Sequence, residues 1–125
     1  MERLRQSDKN LVTEIVYGTL RWQGFLDHFA ANASSRSWKD VQPETKIVLR
    51  MAIYQMARMD RIPDRALVHD AVEIAKSRIG RGASGFINAV LRALSRNRPW
   101  NSGKEIPEWA ELSLPEWLWR RCLQK

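Results

Sequence analysis

The chain has 125 residues, 44% of them apolar and 28% charged, which suits one small domain with its own core and excludes a disordered polar chain. Lys and Arg outnumber Asp and Glu by 21 to 14, for a net charge of +7 and an isoelectric point near 10.2. No apolar run approaches the ~20 residues that cross a bilayer, the start MERLRQSDKN reads as lacking a secretory apolar region, and Cys122 alone makes neither a disulfide nor a cysteine-rich zinc site. With His28 and His69 far apart in sequence, the expectation is a cytoplasmic protein that binds no metal and no membrane.

Almost nothing alternates with period two, so an all-α fold is predicted. Leu11, Val12, Ile15, Val16, Thr19 and Leu20 recur at helical spacing, with Ser7 or Asp8 placed to cap the start. Gly18 and Gly24 predict a break near residues 21–24. Phe25, Leu26 and Phe29 then continue a helix to about Ala33, and NASSRS reads as a loop. Pro43 suits the first position of a third helix, with Glu44 at the positive end of its dipole. Ile47, Val48, Met51, Ala52, Tyr54, Gln55 and Met56 are its expected buried residues, and the stretch DRIP ends it. A fourth helix carries Leu67, Val68, Ala71, Val72 and Ala75, then closes on Lys76, Arg78 and Gly80, cations and a glycine stop. Phe86, Ile87, Val90, Leu91 and Leu94 make the stripe of a fifth, which Pro99 stops.

The turn between the last two helices, GRGASG, has the G-x-G-x-x-G spacing of a dinucleotide-binding loop. That motif needs a buried strand before it and an acidic residue on a second strand roughly twenty positions later. Here a helix, DAVEIAKSRI, leads in and a polar tail follows, so the match is accidental. What remains is a glycine-rich joint whose following helix offers free N–H groups beside Arg78 and Arg81, a suitable place for a phosphate. The same glycines also serve simply to let two helices meet.

The basic excess is uneven. Residues 1–98 hold 17 basic and 10 acidic side chains, and residues 99–125 hold four of each. Arg outnumbers Lys by 15 to 6, and guanidinium groups grip phosphates in pairs of hydrogen bonds. The expectation is a cationic patch on one exterior face of a helical body, holding a polyanion.

Three segments together, TEIVYGTLRWQGFLD, IVLRMAIYQMARMDRIPDRALVHDAVEIAK and GASGFINAVLRAL, resemble the NusB-like RNA-binding fold. More closely they resemble the amino-terminal domain of the RsmB/Sun class of ribosomal RNA cytosine-C5 methyltransferases, as VYGTLRW and the DRIP turn indicate. The tail LSLPEWLWRRCLQ resembles the connector to the catalytic domain of that class. The resemblance implies a NusB-like bundle of two packed helical subdomains over residues 1–98, then a Trp-rich linker and short helix over 99–125. It implies an RNA partner, ribosomal RNA by that likeness, with a ribosomal protein or a methyltransferase domain as further partners, and a dimer through the exposed tail as another option. S-adenosylmethionine and the catalytic cysteines would belong to a separate downstream domain, so no cofactor, no catalytic residue and no enzymatic activity are expected in this chain. The alternative is a NusB-type module for transcription antitermination, binding RNA and a ribosomal protein.

Carried onto matching positions, the resemblance points to Arg81, Gly82, Ala83, Ser84, Gly85 and Phe86 at the entry to the fifth helix. Ser84 would cap that helix or reach a phosphate, and Phe86 would stack a base or pack in the core. Arg78, Arg21 beside Trp22, and the amino-terminal Arg3, Arg5 and Lys9 complete the RNA-contact candidates. Arg50, on an apolar helix, is expected to pair with Glu14 or Glu73, and Asn88 to bond backbone.

Overall fold

Each apolar stripe becomes a helix. The structure, a computed structural model, describes residues 6–59 and 61–101 together with Ala110 and Arg121. Among them run α1 (Gln6–Arg21), α2 (Gln23–Ala33), α3 (Pro43–Arg58), α4 (Asp64–Arg78) and α5 (Arg81–Asn97), with 3-10 turns at Trp38–Asp40 and Pro99–Asn101 and no strand. Arg3, Arg5, Cys122 and the predicted helix after Ser113 lie outside the described residues. Ser7 and Asp8 fall inside α1 rather than capping it. Among the described residues, no helix is long and apolar enough to cross a membrane.

α4 and α5 form the most extensive pairing, and α3 touches all four other helices, so the α4–α5 hairpin and the α1–α2 pair share one core around it. All five stripe residues of α5 are buried, facing Leu67, Val68, Ala71 and Ala75 of α4. α2 contributes Phe25, Leu26 and Phe29, with rings edge-to-face: Trp22 on Phe25 at 5.7 Å, Phe25 on Phe29 at 4.9 Å, and Phe29 on Trp100 at 5.7 Å. That geometry aligns ring edges with ring faces and adds to the area term. His28 lies edge-on to Phe29, and its burial pushes its pKa down, favouring the neutral ring.

One detail departs from the sequence reading. On α3 the buried arc is Leu49, Ala52, Ile53, Tyr54 and Met56, whereas Ile47 is exposed. A helix surrounded by four others is buried over a wide arc, and a one-sided stripe is a poor guide to its centre. The expected break near residues 21–24 is present, and Gly18 itself is helical. Its missing side chain makes room for Tyr54 of α3, whose ring occupies the place a Cβ would take. The break itself falls at Trp22, between α1 and α2.

Arg50 does make a structural ion pair, but with Asp27 of α2. Its Nε donates to Oδ1 at 2.7 Å and its Nη2 to Oδ2 at 3.0 Å, half-buried. Glu14 instead meets Arg61 at 3.3 Å, and Glu73 meets Lys76 at 3.6 Å. Past the end of α5, Arg98 takes a left-handed conformation, φ 38°, rare for a residue other than glycine. It is held there by Asp64 at 2.6 Å, which also accepts from the Ser95 hydroxyl at 2.8 Å, and by the Met56 carbonyl at 3.1 Å.

Candidate nucleic-acid interface

The turn from α4 into α5 is shorter than GRGASG suggests. Only Ile79 and Gly80 lie between the helices, and Gly80 has φ 151°, a conformation that favours glycine. The Ile79 and Gly80 amides both donate to the Ala75 carbonyl, at 2.9 and 2.8 Å, which closes α4. α5 then begins at Arg81, so Gly82, Ala83, Ser84 and Gly85 are helical and form no loop. The first hydrogen bond of this helix runs from the Ser84 amide to the Gly80 carbonyl at 3.1 Å, and the amides of Arg81, Gly82 and Ala83 precede it. A Cβ built at Gly80, Gly82 or Gly85 would meet nothing within 4 Å, so this end of the helix is open on its glycine sides.

Two of the expected contacts turn inward. Ser84 is buried, and its hydroxyl donates to the Arg81 carbonyl at 2.8 Å, so it neither caps the helix nor faces a phosphate. The N-cap position is Gly80, which has no side chain to offer. Phe86 is only 7% exposed and lies in the core, which leaves no ring face for a base. Its accessible side is covered by the Arg36 guanidinium, 4.5 Å from the ring centre. Arg36 is presented by a short turn in which the Ser34 hydroxyl accepts from the Arg36 amide at 3.2 Å and donates to its carbonyl at 2.6 Å. The loop after α2 thus adds a third cation to Arg78 and Arg81 around the start of α5. All three are exposed, and none has a carboxylate partner among the described residues.

The remaining cations are divided among several places, which corrects the expectation of one shared patch. Arg50 and Arg98 are spent on ion pairs inside the bundle. Arg21 and Arg58 both lie over the Trp22 ring, at 5.0 and 4.0 Å, so Arg21 is tied to an aromatic neighbour and Trp22 is packed against the core. Lys9 is exposed on α1. Asn88 does not bond backbone; its side-chain oxygen accepts from Arg92 Nε at 2.9 Å.

Along the outside of the α4–α5 hairpin lies a groove of about 650 Å³. Arg65, His69 and Lys76 of α4 and Asn88, Arg92 and Arg96 of α5 line it, over Val68 and Val72. The sequence reading made none of these residues an RNA contact, nor Arg36. A signal was present: positions 65, 69 and 76 share one face of a helix, as do 88, 92 and 96. Knowing that the two faces meet requires the rotation of one helix against the other. Among the described residues, no cluster of His, Cys, Asp and Glu could hold a metal ion.

Comparison with known proteins adds a family. The NusB family matches the chain over residues 1–96. The chain is 40% identical over 119 residues to the probable ribosomal RNA small subunit methyltransferase B of Bacillus subtilis, covering 92% of this chain and 26% of that protein. It is 37% identical over 118 residues to the ribosomal RNA small subunit methyltransferase B of Thermus thermophilus, with 92% and 27% covered. It is also similar to the transcription antitermination protein NusB of Aeromonas hydrophila, 32% identical over 84 residues, with 67% and 61% covered. The chain spans only about a quarter of the length of the methyltransferases it matches. No solved structure gives a significant match.

Proposed function

The chain belongs to the NusB family, and from that membership we propose that it is an RNA-binding module of a ribosomal RNA methyltransferase, placing substrate RNA without doing chemistry itself. The observation that carries this reading is the reach of the similarity. Likeness to the methyltransferases runs over 92% of the chain, and likeness to the antitermination protein over 67%. The start of α5 supports it physically. Helix amides that precede the first intrahelical bond and the positive end of the helix dipole lie there, with Arg78 and Arg81 flanking the turn in sequence and Arg36 over Phe86, none of the three with a carboxylate partner among the described residues. Arg36, Arg78 and Arg81 are therefore the main contacts in this reading, with Gly82 allowing close approach of the RNA backbone. Arg21 and Lys9 are peripheral, and Arg3 and Arg5 belong to the same proposal. S-adenosylmethionine and the reacting cysteines would come from another domain.

The antitermination reading draws on the similarity to the Aeromonas protein. Both readings need RNA, and they differ in which RNA is preferred. Anisotropy titrations of the 125-residue chain with small-subunit ribosomal RNA fragments and with an antitermination-site RNA, across a range of salt, would separate them. Preference for the ribosomal fragments, with affinity falling steeply as salt rises, is the expected outcome. Salt-insensitive binding, or none, would remove RNA from the reading. Preference for the antitermination RNA would move the chain to the second reading.

A further inference from the structure

We infer that the groove between α4 and α5 is a second RNA-binding surface, separate from the start of α5, that holds a stretch of sugar–phosphate backbone. The inference rests on the RNA-binding reading above. Arg65, Lys76, Arg92 and Arg96 line the groove against one carboxylate, Glu73, and that carboxylate is already engaged with Lys76 at 3.6 Å. Arg65 and Arg96 have no ion-pair partner among the described residues, and Arg92 touches only its own helix, through Asn88. Like charges brought together on two neighbouring helices repel. Apart from the Lys76–Glu73 and Arg92–Asn88 contacts their placement adds nothing within the bundle, and an anion from outside would offset the repulsion.

The shape selects among anions. From Arg65 to Lys76 is three turns of helix, about 16 Å, so the cations are strung along a line rather than gathered at a point. A single small anion would neutralise one end and leave the other. A polyanion lying lengthwise meets cations from both walls. Three of the four are arginines, whose planar forks match phosphate oxygens in pairs. Val68 and Val72 are apolar and the charged groups of the lining are mostly cations, so the surface would bind chiefly through the backbone. His69, Asn88 and Ser95 complete the lining, with Asn88 bonded to Arg92 and Ser95 to Asp64.

The groove is tested with the 125-residue chain, a labelled oligouridine of about 16 nucleotides, and three variants titrated across salt. In R65A/R92A/R96A the groove loses three cations. Affinity should fall at least about tenfold, and the slope of log K against log salt should flatten by about 2, three contacts at ~0.7 each for single strands. R65K/R92K/R96K keeps the charge and should recover most of that slope. R78A/R81A, away from the groove, should weaken binding independently. The three groove arginines are exposed, so circular dichroism and melting of the variants should match the parent. Undiminished RNA binding by the triple alanine variant would overturn the groove while leaving the RNA reading intact. No RNA binding by the parent chain would overturn both. Polyglutamate bound as tightly as the RNA, and weakened equally by the triple variant, would reassign the groove to an acidic protein.

Discussion

α5 buries all five residues of its apolar stripe, whereas α1, with apolar residues at the same helical spacing, leaves Val12, Val16 and Leu20 between 47% and 67% exposed. The difference lies in the neighbours. α5 packs against α2, α3 and α4, while the main contacts of α1 are with α3 and α2. On α1, Leu11 and Ile15 are packed against the core and Thr19 is buried, so the helix is seated on one edge of its stripe. Periodicity identifies a face; the surrounding helices decide how much of it is covered.

The contrast can be broken at its strong end first. Leu91 is fully buried, so Leu91→Ala should cost about 2–5 kcal/mol, measured as a lower urea midpoint with an unchanged slope. A loss below about 1 kcal/mol would mean that α5 is less central than its burial indicates. Next comes the one point where α1 is held tightly. Gly18→Ala puts a methyl group where the Tyr54 ring now sits, and Tyr54 is itself buried. Helix propensity favours alanine, but the clash should win, with a net loss of about 1–3 kcal/mol. Pairing the substitution with Tyr54→Leu should recover part of it, which would assign the cost to that contact. Smallest is Val16→Ala on the open side of α1. Stability should change by no more than about 0.5 kcal/mol. A larger loss would show that the outer part of the α1 stripe is covered in solution.

How much was legible in the sequence follows the same division. The stripe of α5, the stop at Gly80, Pro43 at the start of α3 and the break near Trp22 depend on local chemistry, and all are present in the fold. The start of α5 was misread because Gly-Arg-Gly-Ala-Ser-Gly has the propensities of a loop. Packing prevails there: Ser84 and Phe86 are buried, and burying them in register requires helix from Arg81 onward. That Arg50 needs an acid was readable from its apolar surroundings, but its choice of Asp27 depends on how α2 lies across α3. Arg36 and the α4–α5 groove are of the same kind. Each brings together residues from two elements, and no single helix contains the relation.

The left-handed Arg98 gives the chain a fixed heading as it leaves α5. A glycine at that position would act as a swivel. An arginine clamped by Asp64 and the Met56 carbonyl, with its guanidinium 5.4 Å over the Trp100 ring, acts as a bracket. Trp100 in turn rests edge-on against Phe29 of α2, so the direction is set by both ends of the fold at once. The last described residues of this segment, Pro99–Asn101, are thereby locked in orientation to α2 and α4 together.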